Sequence, residues 1–262
     1  MIPRNFITEW KGHVPWADDS HVEQDLVISR ALAEIFGNST LASQMAFRGG
    51  TALYKLYLLP PARYSEDIDL VQVTAAPIGP VLDLLRERLD SWLGKPKRSR
   101  SEGGVTLLYS FQTEASPPIR MRLKVEINSR EHFSVYGFEQ RPFRVSSRWF
   151  SGDAIIQTYT LEELLGTKLR ALYQRRKGRD LFDIWLGLTA GKADPQKIIT
   201  SFCKYTTNQG LKISQKEFLL NLERKAKLAE FMEDIRVILA PGFDYDSEAA
   251  LNLVRERLVS LL

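Results

Sequence analysis

Residues 45–73 read MAFRGGTALYKLYLLPPARYSEDIDLVQV, and the order of signals in this stretch sets the architecture. Met45 to Phe47 is strand-like, Gly49-Gly50 marks a turn, and Thr51 to Leu56 has helical composition until Pro60-Pro61 stops it. Residues 68–73, IDLVQV, read as a second strand. Strand, glycine turn, helix and strand in this order are the start of a mixed α/β domain.

Upstream, residues 21–36 place Val22, Leu26, Ile28, Ala31, Leu32 and Ile35 at near-helical spacing, which predicts an amphipathic helix ending before Gly37-Asn38. Downstream, a helix over 80–93 turns Val81, Leu84, Leu85, Leu89 and Trp92 inward and ends at Gly94. A basic loop, Lys95 to Arg100, precedes strands at about 104–112 and 119–128, split by Ser116-Pro117-Pro118 and read as antiparallel neighbours. In the second of these, Ile119, Met121, Leu123, Val125 and Ile127 alternate with Arg120, Arg122, Lys124, Glu126 and Asn128, so one face is buried and one polar. Beyond about residue 160 only helical segments follow: 161–176, 179–189, 195–205, 214–235 and 246–261. The expected organisation is an α+β domain over 1–155 and an all-helical domain over 156–262.

The 262 residues are 44% hydrophobic and 26% charged, which excludes a disordered chain, and the net charge of +4 is small for an architectural nucleic-acid binder. Acids and bases throughout the first thirty residues fit no signal peptide, and no apolar run reaches membrane-spanning length, so a cytoplasmic protein away from the membrane is expected. The lone cysteine, Cys203, reads as an inert core thiol on a helix, and His13, His21 and His132 have no metal-ligand spacing.

Chemistry concentrates in a few places. Asp67 and Asp69 lie two residues apart at the start of a strand, so they face the same way, and two like charges that close call for a cation. Hard oxygen ligands of this kind suit Mg²⁺ or Mn²⁺, which in turn hold phosphate oxygens. The plain alternative is a solvated strand end. Gly49-Gly50-Thr51 sits where a bare backbone and free N–H groups let phosphate approach, though the same tripeptide also makes an ordinary helix cap. Glu126 completes a three-carboxylate cluster if its strand lies beside the Asp67–Asp69 strand; otherwise it pairs with Lys124 or Arg122. In the helical part, Lys168 shares a face with Leu164 and Leu172, so its stem should be partly buried. Asp180 and Asp183 share a face one turn apart, and Arg175, Arg176 and Lys177 read as a solvated basic run.

These residues, Gly49-Gly50-Thr51, Arg63-Tyr64-Ser65-Glu66-Asp67-Ile68-Asp69-Leu70, Lys124-Val125-Glu126-Ile127, Lys168 to Leu172 and Arg179 to Asp183, resemble in kind and order the AbiEii/AbiGii-type toxin family, which includes the MenT toxins. That family consists of nucleotidyltransferase-like proteins of bacterial toxin–antitoxin and abortive-infection systems. The resemblance implies a polymerase-β-like core over 1–155 and a helical domain over 156–262 closing the nucleotide cleft. It implies metal binding by Asp67 and Asp69 with Glu126 as the third acid, phosphate contact near Gly49, Gly50 and Thr51, and an essential lysine and aspartate at Lys168 and Asp183, with Arg179 as a helper at the triphosphate. The chain departs from the pattern in carrying Gly50-Thr51 where many nucleotidyltransferases have Gly-Ser.

The function so implied is transfer of a nucleoside monophosphate from an NTP to RNA, with the tRNA 3′ end as acceptor, blocking translation. The RNA backbone would lie on Lys95 to Arg100 and Arg175 to Lys177. A cognate antitoxin is an expected partner. The alternatives are nucleotidylation of a protein or small molecule, a catalytically silent nucleotide-binding module, and a metal-dependent nuclease, which needs neither the glycine turn nor the distal lysine.

Overall fold

The computed structural model describes residues 2–114 and 117–262; Ser116, where the break between two strands is expected to begin, lies outside the described residues. In chain order, α1 (Arg4–Trp10), α2 (Asp19–Phe36) and α3 (Ser39–Gln44) lead into β1 (Met45–Arg48), α4 (Gly49–Leu56), β2 (Asp67–Gln72) and α5 (Gly79–Leu93). Five strands follow: β3 (Lys97–Ser101), β4 (Gly104–Gln112), β5 (Arg120–Asn128), β6 (Phe138–Ser146) and β7 (Ser151–Tyr159). All seven strands form one mixed sheet in the order β3-β4-β5-β2-β1-β7-β6. β2 runs parallel to β5 and β1 to β7, while the remaining pairs are antiparallel.

The sheet and these helices make up the first unit: the chain up to Leu56, Tyr64–Phe133 and Phe138–Tyr159. One face of the sheet is apolar because Leu123, Val125 and Ile127 of β5 and Val105, Leu107 and Tyr109 of β4 all fall on alternate positions, and all are buried. α2 and α5 pack beside it. The side chain of Asp18 caps α2 by accepting from Ser20 N. α2 is buried on most of its circumference rather than along one stripe, so even Glu23, Gln24 and Asp25 are enclosed. Asp25 is accommodated by Lys55, 2.8 Å away, and by the indole N–H of Trp10 at 2.9 Å.

The second unit comprises Tyr57–Arg63, Ser134–Gly137 and Thr160–Leu262. Its helices are α6 (Leu161–Gln174), α7 (Gly178–Thr189), α8 (Pro195–Asn208), α9 (Gln215–Ala226), α10 (Ala229–Glu233) and α11 (Ser247–Arg257). Thr160 caps α6, and Ser214 with Glu217 forms a reciprocal capping box on α9. Leu164, Leu165, Leu169, Phe182, Phe202 and Phe218 build its core. Glu163, fully buried on α6, accepts from Ser134 Oγ, the backbone N–H groups of Val135 and Tyr136, and the Tyr205 hydroxyl, which ties the short 134–137 segment to the helices. The α+β class read from the sequence is the class observed.

Several local expectations are corrected. The basic stretch after Gly94 is the edge strand β3, whose five side chains are all exposed, so backbone pairing alone holds it. Residues 138–159, to which no element was assigned from the sequence, form β6 and β7, with Pro142 in the edge strand, where a missing N–H is tolerated. The segment 214–235 breaks into α9 and α10 around Lys227-Leu228. Cys203 is exposed, not a core thiol, because α8 buries Ile198, Ile199, Phe202 and Tyr205 on the opposite side.

Candidate active site

Parallel pairing of β2 with β5 places Asp67 opposite Lys124 and Asp69 opposite Glu126. Period-two geometry then aims all four side chains at the polar face of the sheet. On the other side of β2, Arg48 of β1 stands opposite Asp69 and is held by Glu131 at 2.6 Å. Thr106 of β4 stands opposite Glu126, so Arg48, Asp69, Glu126 and Thr106 form one row across four strands. A cavity of about 190 Å³ opens along this row, lined by Arg48, Asp69, Gly104, Thr106, Glu126 and Asn128.

The expected three-carboxylate cluster is on neighbouring strands but is not preassembled. Among the described residues, no three His, Cys, Asp or Glu side chains gather closely enough to hold a metal ion. The reason is Lys124, whose ammonium lies 3.0 Å from Asp67 Oδ2 and 3.3 Å from Glu126 Oε2. Partial burial opposes the charge on Lys124, but hydrogen bonds and charge from Asp67 and Glu126 outweigh it and hold its pKa above the usual lysine value. Glu126 thus stands beside Asp69 on the neighbouring strand and pairs with Lys124. The donor set, hard carboxylate oxygens on neighbouring strands, is the chemistry a divalent ion takes, and an ion on Asp67, Asp69 and Glu126 would require Lys124 to give up Asp67 and Glu126.

The glycine turn is built against these acids. Gly49 opens α4 with φ +82°, and a Cβ placed on it would lie 2.0 Å from Asp69 Oδ2, so only glycine permits this approach. Gly50 is buried in the first turn of α4. Thr51, expected to add a hydroxyl to a phosphate, is also buried. Its Oγ1 donates to the carbonyl of Asp67 at 2.5 Å and shares a 2.9 Å hydrogen bond with Ser65. The hydroxyl is spent within the fold, where it anchors the start of β2 to α4.

In the second unit Lys168, Asp180 and Asp183 do converge. Lys168 is 8% exposed, with its ammonium 2.8 Å from Asp183 Oδ2 and 3.3 Å from Asp180 Oδ1. Each acid has a second cation. Arg63 grips Asp183 through two parallel bonds of 2.6 and 2.7 Å, and Arg175 grips Asp180 at 2.6 and 2.8 Å. Burial alone would raise the pKa of Asp183, but Arg63 and Lys168 reverse this and hold its carboxyl well below the usual range. Asp180 is lowered in the same way by Lys168 and Arg175. Arg175 is therefore engaged and is not part of a free basic run. Arg179 is half-buried at the start of α7, its backbone N–H donating to Asp234 at 3.2 Å.

Sequence reasoning missed Arg63 and Arg48 as members of these arrangements, and it read Lys124 as a possible partner of Glu126 but not of Asp67. Arg63 and Lys124 lie inside the quoted motifs, and Arg48 directly precedes Gly49. Each was a cation immediately beside an acid or glycine motif, a signal that the spacing of the acids alone does not carry.

The fold matches solved structures, among them nucleotidyltransferases. MenT4, a nucleotidyltransferase toxin from Mycobacterium tuberculosis, superposes with a TM-score of 0.66 at 16% identity, covering 100% of this chain and 91% of that one. JHP933 from Helicobacter pylori matches with a TM-score of 0.54 at 15% identity, over 93% and 92% of the two chains. A further protein from H. pylori, described as a nucleotidyltransferase, gives 0.53 at 16% identity over 94% and 99%. No curated protein sequence matches this chain. The family model for the nucleotidyltransferase AbiEii toxin of type IV toxin–antitoxin systems matches residues 30–252, which contain every residue of both constellations. The chain is therefore a nucleotidyltransferase and belongs to the AbiEii toxin family of type IV toxin–antitoxin systems.

Proposed function

We propose that this protein transfers a nucleoside monophosphate from an NTP to a hydroxyl of RNA, the tRNA 3′ end being the acceptor, and so blocks translation in the cytoplasm until a cognate antitoxin counters it. The observation that carries this reading is the register of β2 on β5, which sets Asp67 and Asp69 beside Glu126 on one face next to the Gly49-Gly50 turn.

Asp67 and Asp69, with Glu126, are the residues that would hold Mg²⁺ or Mn²⁺, and a divalent ion there would supply Lewis-acid polarisation of the α-phosphate and neutralise charge on the pyrophosphate leaving group. Backbone N–H groups at the Gly49-Gly50 turn are assigned to phosphate oxygens. Lys168 is assigned to the triphosphate. Asp183 and Asp180 fix its ammonium, so its charge is oriented before substrate arrives. Asp183 is a positioning residue in this reading, since Arg63 and Lys168 already occupy its oxygens. Among the described residues no helix is long and apolar enough to cross a membrane.

The test is incubation of purified protein with Mg²⁺, each labelled NTP in turn, and total RNA resolved on a sequencing gel. The reading expects label in RNA of tRNA size, lengthened at its 3′ end and lost on chelation. Label in protein instead of RNA favours nucleotidylation of a protein, and shortened RNA favours a nuclease.

A further inference from the structure

β5 carries Arg120, Arg122, Lys124 and Glu126 on one face at two-residue steps, roughly 6.6 Å apart along the strand. The sheet register places Lys97 of β3 in the same row as Leu108, Lys124 and Asp67, and sets Ser110 beside Arg122 and Gln112 beside Arg120. The polar face of β3–β4–β5 is thus a surface on which cations succeed one another and end at Asp67, Asp69 and Glu126. A strand face that is merely solvated gains by mixing signs, because like charges in line repel. Here Lys97, Arg120 and Arg122 are exposed, and among the described residues none of them has an acidic partner. Only Lys124, at the end nearest the aspartates, is paired.

From this arrangement we infer that the open face of β3–β4–β5 is the track for the acceptor RNA: a single strand lies along β5, its phosphates on Arg120, Arg122 and Lys97, and is led by them to the carboxylates. The inference rests on the reading of RNA as the acceptor and assigns that reading its surface. It also moves the contact away from Arg98 and Arg100, which the register turns to the opposite face of β3, and from Arg175, which Asp180 engages. Being electrostatic, the contact positions the acceptor without reading its bases.

The experiment compares wild type, Arg120→Gln/Arg122→Gln, and the control Lys204→Gln/Lys216→Gln, which removes the same charge from exposed positions on α8 and α9. Binding of a fluorescent single-stranded RNA is measured by anisotropy across a salt series, and KM for RNA and for NTP by labelled-NTP incorporation. The track predicts that the Arg120/Arg122 variant loses about tenfold in RNA affinity, that its log K against log salt slope falls by about 1.4, and that KM rises for RNA only. The control should match wild type. If wild type labels RNA but the Arg120/Arg122 variant keeps wild-type affinity, slope and KM, the track is wrong and the transfer reading stands. If wild type neither binds nor labels RNA, both fall together.

Discussion

Arg63 holds both carboxylate oxygens of Asp183, at 2.6 and 2.7 Å, across 120 residues of sequence, and both side chains are buried. The pair is the fixed end of a chain of charges, Arg63–Asp183–Lys168–Asp180–Arg175, that immobilises one lysine within the helical unit. Removing one partner of a buried pair costs about 3–5 kcal/mol when the other charge is left uncompensated, and the remaining contact of Lys168 with Asp183 puts this pair at the lower end of that range. Arg63→Met and Asp183→Asn should each lower stability by about that amount in urea denaturation, and the double variant by much less than their sum. Additive losses would show that the two side chains act independently.

Lys168 is predicted to differ from its partners in kind. When Lys168 is removed, Asp180 and Asp183 each keep two bonds to an arginine, whereas Arg63→Met leaves Asp183 with the bond from Lys168, so Lys168→Met should lose less stability than Arg63→Met. Its nucleotidyl transfer, by contrast, should fall by at least about a hundredfold, with KM for NTP raised. The arginine variant should recover only part of this, since a planar guanidinium does not fit the site of a compact ammonium. Parallel melting curves and NTP saturation kinetics measure both effects; a variant that melts early and yet transfers normally contradicts the assignment.

Gly49 joins fold and chemistry at one atom. In Gly49→Ala the new methyl group meets Asp69 Oδ2 at 2.0 Å, and the positive φ adds about 1–2 kcal/mol of strain. Asp69 must move, so the expected outcome is a modest fall in melting temperature together with a loss of transfer far larger than that fall explains. Gly79→Ala, at the start of α5 where a Cβ has open space, is the comparison and should stay near wild type in both measurements.

Lys225 gives the stability a pH dependence. It is buried beneath the end of α6, donating to the carbonyls of Leu172 and of Tyr173, the latter at 2.8 Å. Burial lowers its pKa to about 8, against the opposing pull of Asp180. With the folded value below the unfolded one, near 10.4, the unfolded chain binds the extra proton between them, and stability contributed by this group rises with pH across that window. Wild type should therefore gain stability relative to Lys225→Met between pH 8 and pH 10. A constant difference in melting temperature over that range would contradict the shift.

What the sequence made legible follows from where burial enforces a pattern. β5 alternates because one face is packed, and α6 repeats at helical spacing because Leu164, Leu165, Leu169 and Leu172 are all enclosed. β3 has no such signal, since Lys97 to Ser101 are exposed throughout and the strand exists through its pairing to β4. β6 is an edge strand interrupted by Pro142, with only Val145 buried, so neither period nor composition marks it. In the site, Asp67, Asp69 and Glu126 were readable as acids on polar strand positions. That Lys124 stands between two of them depends on the register of β2 against β5, which no local pattern contains. The inward turn of Thr51 is likewise a tertiary fact, fixed by the carbonyl of Asp67 and by Ser65.

The central claim is that the aspartate pair on β2 performs nucleotidyl transfer to RNA, and the initial rate of labelled NMP incorporation by wild type and Asp67→Asn tests it most directly. Asp67 is half-exposed at the end of its strand, so the variant should fold and melt close to wild type. The account predicts RNA-linked label from wild type and a loss of about a thousandfold or more in the variant, equivalent to several kcal/mol of transition-state stabilisation. Incorporation by a folded Asp67→Asn protein at the wild-type rate would contradict it.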